Sequence, residues 1–155
     1  MIHDNLGPGR HAVTTAGAPA PVGGYSQGIA AGPYLFTSGF GPQDPDTGAL
    51  GDTIEEQTRQ VLANISALLT ADGLTLDDVV KATVHLQDLR RDFAGFDRVY
   101  RDHFGDPRPV RTTVGSELMG ILVEIDVVAL RRTGPADSGS GSVLARTRGV
   151  PRRPY

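Results

Sequence analysis

Pro109-Val110-Arg111-Thr112-Thr113-Val114 and Leu122-Val123-Glu124-Ile125-Asp126-Val127-Val128 are adjoining runs crowded with β-branched residues. Runs of this composition read as strands of a packed sheet. Each carries a charge that a sheet has to account for. A buried, unpaired arginine costs several kcal/mol, so Arg111 needs a partner or a ligand anion. A carboxylate such as Glu124 can be paired, or can hold or activate a water. Two readings follow. Arg111 and Glu124 form a salt bridge inside the sheet, or they belong to a small pocket that binds an organic acid and does proton chemistry beside it.

Working outward, Val80, Ala82, Val84 and Leu86 alternate with Lys81, Thr83 and His85, the pattern of a half-buried strand. Between that strand and Pro109, Phe93, Phe96, Tyr100 and Phe104 recur at helical spacing and predict one buried helix face, with Asp92 as the N-cap. Upstream, Thr53-Ile54-Glu55-Glu56 is a capping box. The helix it opens puts Val61, Ile65 and Leu68-Leu69 on one side and stops at Gly73. Asp44-Pro45-Asp46-Thr47-Gly48 is turn chemistry, and Tyr34-Leu35-Phe36-Thr37-Ser38 reads as a strand ended by Gly39. The order strands, helix, strand, helix, strand, strand predicts an α+β domain with two helices on one face of a mixed sheet.

The 155 residues fit one domain, expected over residues 18–132. Residues 1–17 read as an arm. Residues 133–155, rich in Gly, Ser, Pro and Arg, read as a disordered basic tail. Residues 131–155 hold six arginines against one acid, a balance of +5, and the rest of the chain holds nine basic residues against 17 acids, or −8. An acidic body argues against wrapping nucleic acid. The absence of cysteine excludes disulfides and thiolate metal sites. His3, His11, His85 and His103 lack metal-ligand spacing, so no metal is assigned. No run approaches the roughly 18 apolar residues of a membrane helix, and no leader is visible, so the expected location is the cytoplasm.

Several segments together resemble the RidA/YjgF/L-PSP family, the reactive-intermediate deaminases. They are Gly23-Gly24-Tyr25-Ser26-Gln27-Gly28, Phe36-Thr37-Ser38-Gly39, Asp44 through Gly48, Glu56 through Asn64, Asp78 through Val84, the Phe93-to-Phe104 helix, Pro109 through Val114, and Val123-Glu124-Ile125-Asp126. The resemblance implies a chorismate-mutase-like fold of the bacillus type, a homotrimer, and three clefts between neighbouring subunits. It implies hydrolysis of carboxylate-bearing 2-imino acids, or their enamine tautomers, to 2-keto acids and ammonia without a cofactor. In that family's terms Arg111 grips the substrate carboxylate and Glu124 positions the attacking water. Tyr25 reaches into the cleft, Ser38-Gly39 lines its floor, and the backbone around Thr113 meets the ligand.

The chain departs from the family pattern at four positions. Phe40 stands where glutamine is common, Thr113 for cysteine, Asp97 for asparagine, and Gly24 for proline. Phe40 makes the cleft more apolar, and Asp97, if it faces the cleft, weakens binding of an anion. Two alternatives therefore stand beside imine hydrolysis. One is a related enzyme repurposed for a larger imine or carbonyl compound in a specialised pathway. The other is a non-catalytic binder of a small metabolite or of RNA. Lys81 reads as a solvated strand residue rather than a Schiff-base former.

Overall fold

The computed structural model describes residues 9–132. The readings placed on residues 1–8 and 133–155 lie outside them. Six strands, β1 (Arg10–Val13), β2 (Gly28–Ala31), β3 (Tyr34–Thr37), β4 (Val79–Leu86), β5 (Val110–Gly115) and β6 (Val123–Leu130), form one sheet in the order β1-β2-β3-β6-β4-β5. All neighbours are antiparallel except β4 and β5, which the crossover helix α2 (Leu89–His103) makes parallel. The other helix, α1 (Ile54–Ala71), joins β3 to β4.

Both helices cover the same face. Leu35, Ala82, Val84, Leu86, Val123, Ile125, Val127 and Ala129 are buried, as are Val61, Leu62, Ile65, Leu68 and Leu69 of α1 and Phe96 and Tyr100 of α2. This is the predicted α+β arrangement. On the other face Tyr34, Phe36, Val110, Val114 and Leu130 are exposed, with Lys81, Thr83, His85, Glu124 and Asp126 between them. An antiparallel sheet can leave one face in water, and this open face mixes apolar with charged residues.

The α1 capping box forms as predicted. Thr53 Oγ1 accepts from Glu56 N at 3.2 Å, and Glu56 Oε2 accepts from Thr53 N at 3.2 Å and Asp52 N at 2.7 Å. Thr53→Ala is expected to cost about 1 kcal/mol, read as a lower urea midpoint with unchanged slope.

Four details differ from the sequence reading. Residues 10–17 do not precede the domain as an arm, because Arg10–Val13 pair with β2 along their whole length and Val13 is buried. The cap of α2 is Asp88, whose carboxylate accepts from Arg91 N at 3.0 Å. Asp92 lies one turn inside, where Arg91 binds both its oxygens at 2.9 Å. Val80 is exposed because a bulge between Val79 and Lys81 turns Val79 inward instead. Phe93, expected in the core with the other aromatics, is 40% exposed, since the edge strand β5 covers only part of α2.

Candidate functional site

The predicted site residues fall into two groups on opposite faces of the sheet. Arg111 pairs with Ala82 across the β4–β5 ladder, so it points to the helix side. There its guanidinium carbon lies 4.6 Å from the centroid of Tyr100, 5.2 Å from Phe96 and 5.8 Å from Phe93. Its NH1 donates to Asp97 Oδ1 at 2.8 Å, and Asp97 Oδ2 accepts from Arg101 Nε at 2.7 Å. Nε and NH2 of Arg111 make no hydrogen bond among the described residues. That edge of the fork is the one that takes a carboxylate with two parallel bonds. Burial alone would raise the Asp97 carboxyl, but hydrogen bonds and charge from Arg111 and Arg101 outweigh it and hold the group below its ordinary value. Burial pushes the Tyr100 phenol up to about 12, so Tyr100 is a neutral platform at physiological pH. Arg111, Asp97, Tyr100, Arg101, Arg108 and Pro109 line a groove of about 440 Å³. Thr113 follows two residues on, half-buried and opposite Val84, on the same side as Arg111.

Glu124 pairs with His85 in the β4–β6 ladder and points the other way. Its carboxylate lies against Gly39, where a Cβ would stand 2.6 Å from Oε1, so position 39 admits only glycine while Glu124 keeps this place. No group among the described residues hydrogen-bonds that carboxylate. Glu124 opens into a cleft of about 680 Å³ that Tyr25, Ser38, Gly39 and Phe40 also line. Among the described residues no lysine or arginine lines it, while Asp44, Glu117 and Glu124 do.

Amide side chains, buried at Gln27, Gln57 and Asn64 and exposed at Gln87, hold each wall of the cleft. Gln27 accepts from Thr15 N at 2.7 Å and donates toward the carbonyls of Thr15, Ala18 and Pro19, fixing the segment that leads to Tyr25. The Tyr25 hydroxyl accepts from Val22 N at 3.1 Å. Asn64 donates to the carbonyls of Gly41 and Gln43 at 3.0 and 2.9 Å, tying the loop after Gly39 to α1. Gln57 accepts from Leu122 N at 2.8 Å and Gln87 from Leu118 N at 2.6 Å, which clamps the loop between β5 and β6 at both ends. Each amide replaces solvent for backbone groups that no strand or helix satisfies.

Tyr25, Ser38, Gly39, Phe40 and Glu124 therefore share one cleft. Arg111, Asp97 and Thr113 lie on the far side of the sheet, and the two cavities share no residue. The internal Arg111–Glu124 salt bridge is not formed; the partner of Arg111 is Asp97. Lys81 is exposed on the open face, as read from the sequence. His85 is half-buried rather than exposed, with Nδ1 2.7 Å from Ser116 Oγ. Sequence reasoning missed the platform role of Phe96 and Tyr100, the clamping amides, and the cleft residues Glu117, Leu118, Met119 and Ile121. The amides left one signal, polar residues at core phases of α1 (Gln57 and Asn64). The loop left none.

The described residues thus form a six-stranded mixed sheet with both helices on one face, an acidic cleft on the other and an arginine held at the edge strand. The chain belongs to the family described as Endoribonuclease L-PSP, whose model matches residues 15–131. It is 44% identical over 126 residues to a RutC family protein of Pyrococcus horikoshii, covering 79% of this chain and 98% of the relative. It is 38% identical over 125 residues to the 2-iminobutanoate/2-iminopropanoate deaminase of Salmonella typhimurium, covering 77% and 97%. Among solved structures, RidA from an Antarctic Psychrobacter superposes with a TM-score of 0.74 at 36% identity, covering 77% and 98%. TdcF of Escherichia coli with bound serine superposes at 0.73 with 34% identity, covering 79% and 99%.

Proposed function

We propose that this protein hydrolyses reactive 2-imino acids to 2-keto acids and ammonium, in clefts formed where copies of the chain meet in a homotrimer. The observation that carries the reading is that Arg111 and Glu124 are each incomplete within one chain. Arg111 presents an unpaired guanidinium edge on one face of the sheet, and Glu124 an unpaired carboxylate in a cation-free cleft on the other. Association through the open face, with the Arg111 edge of one copy against the Glu124 cleft of the next, supplies each with what it lacks. The deaminase name of the Salmonella relative supports the reaction.

In the reaction Arg111 holds the carboxylate of R–C(=NH2⁺)–COO⁻, and the acidic cleft favours the iminium charge. Water held by Glu124 adds to the carbon and gives up a proton to the carboxylate. The resulting carbinolamine takes that proton on nitrogen, the C–N bond breaks as Glu124 accepts the hydroxyl proton, and R–CO–COO⁻ leaves with ammonia, which takes up that proton as NH4⁺. Positioning and proton transfer are all the protein supplies, the latter typically about 10²–10⁴-fold. RNA binding is disfavoured because residues 1–130 are acidic, with nine basic residues against 17 acids.

The test is decay of 2-imino acids freshly made by an amino-acid oxidase, with and without the full chain, alongside light scattering. Accelerated decay by a trimer is expected; a folded trimer that leaves the decay rate unchanged overturns the reading. Asp97→Asn keeps an acceptor for Arg111 NH1 but removes a negative charge beside the anchor. It is expected to lower KM for the imino acid about fivefold with kcat little changed, the effect of relieving about 1 kcal/mol of like-charge repulsion in a partly screened site.

A further inference from the structure

We infer that the cleft beside Glu124 is a side-chain pocket selecting 2-imino acids with a bulky apolar side chain, aromatic or branched, and that Met119 sets this preference. The inference rests on the deamination reading and names its substrate class. Within one chain the cleft measures about 680 Å³ before the Arg111 edge of the next copy closes on it. Its apolar lining is Pro19, Val22, Leu118, Met119 and Ile121, over Phe40, whose ring is buried in the core. The buried polar side chain in the lining, Gln27, is already spent on backbone groups, and Asp44 is spent on the turn it caps, accepting from Asp46 N and Thr47 N. What remains for a ligand is this apolar lining, with the Tyr25 and Ser38 hydroxyls, Gln43 and the acids Glu117 and Glu124 at its polar end. That combination repels a second carboxylate and favours an uncharged, apolar side chain.

Met119 is 98% exposed and Val22 94% exposed, one on each side of this cleft. Met119 cannot fold away to hide its side chain. Gln87 and Gln57 clamp the loop at Leu118 and Leu122, and Gly120 at φ 76° turns the chain between them. A flexible thioether fixed at the mouth of an apolar cleft adapts to side chains of differing shape and loses its own water contact when one enters.

The experiment compares kcat/KM of the full chain on imines generated from alanine, leucine, phenylalanine and glutamate, for wild type and Met119→Ser. The substituted position is fully exposed, so the variant folds. The expected order puts leucine- and phenylalanine-derived imines at least about tenfold above the alanine-derived one, with the glutamate-derived imine slowest. Met119→Ser is expected to reduce the phenylalanine-to-alanine ratio about tenfold. Turnover with a flat or reversed order, or a ratio unchanged in Met119→Ser, overturns the side-chain inference and leaves the deamination reading standing. No turnover of any imine by the assembled protein overturns both.

Discussion

Arg111→Ala is expected to lower kcat/KM for 2-imino-acid hydrolysis by about 10²–10³-fold, chiefly through KM, because a charged bidentate contact is worth roughly 3–4 kcal/mol in a partly desolvated site. The fold should survive. Arg111 is on an edge strand, and Asp97 keeps Arg101 as a partner at 2.7 Å, so no carboxylate is orphaned. What is lost is the stacking over Tyr100, Phe96 and Phe93, worth about 1–2 kcal/mol of stability. Arg111→Lys should recover little, since a point charge cannot make two parallel bonds. Wild-type kinetics in Arg111→Ala would remove Arg111 from the site.

Glu124→Gln is expected to act on the other kinetic parameter, lowering kcat by about 10²–10⁴-fold with KM little changed, because it removes a proton acceptor and leaves the carboxylate anchor alone. The amide keeps the shape that packs on Gly39, and no donor among the described residues loses a partner. Stability should therefore hold or rise slightly. The two variants also test how the site is assembled. Arg111 and Glu124 lie on opposite faces of the sheet, and in the proposed trimer a complete site draws them from different copies. Arg111→Ala and Glu124→Gln, unfolded together and refolded as mixed trimers, are then expected to regain about a quarter of wild-type activity, the share of sites that receive both intact residues. No recovery in mixed trimers would mean that both residues serve a site within one chain.

The local signals were strong wherever residues act on near neighbours. Thr53 and Glu56 sit three apart, and the box they form closes within one helical turn, so four letters were enough to place the start of α1. Asp44 through Gly48 was legible for the same reason. Alternation through Ala82, Val84 and Leu86 located a strand correctly but not the bulge at Val79/Lys81, which depends on how β6 pairs beside it. Asp92 looked like a cap because it precedes the first aromatic; Asp88 won because Leu89 is packed against the core, a contact between distant segments. Arg10–Val13 falls in the arm read over residues 1–17 and is held by a ladder to β2 that no local pattern announces.

The sequence by itself determined the order of elements from β3 onward, most of their apolar faces and the family, because periodicity, caps and turn residues are short-range physics repeated along the chain. Which face each charge occupies was decided only by tertiary structure. A strand residue points up or down according to its register with its neighbours, and Arg111 against Ala82 and Glu124 against His85 fall on opposite sides. The same holds for the partner of Arg111, since Asp97 comes from a helix fourteen residues back. It holds too for the cleft, whose three walls are brought together by buried amides reaching across the fold.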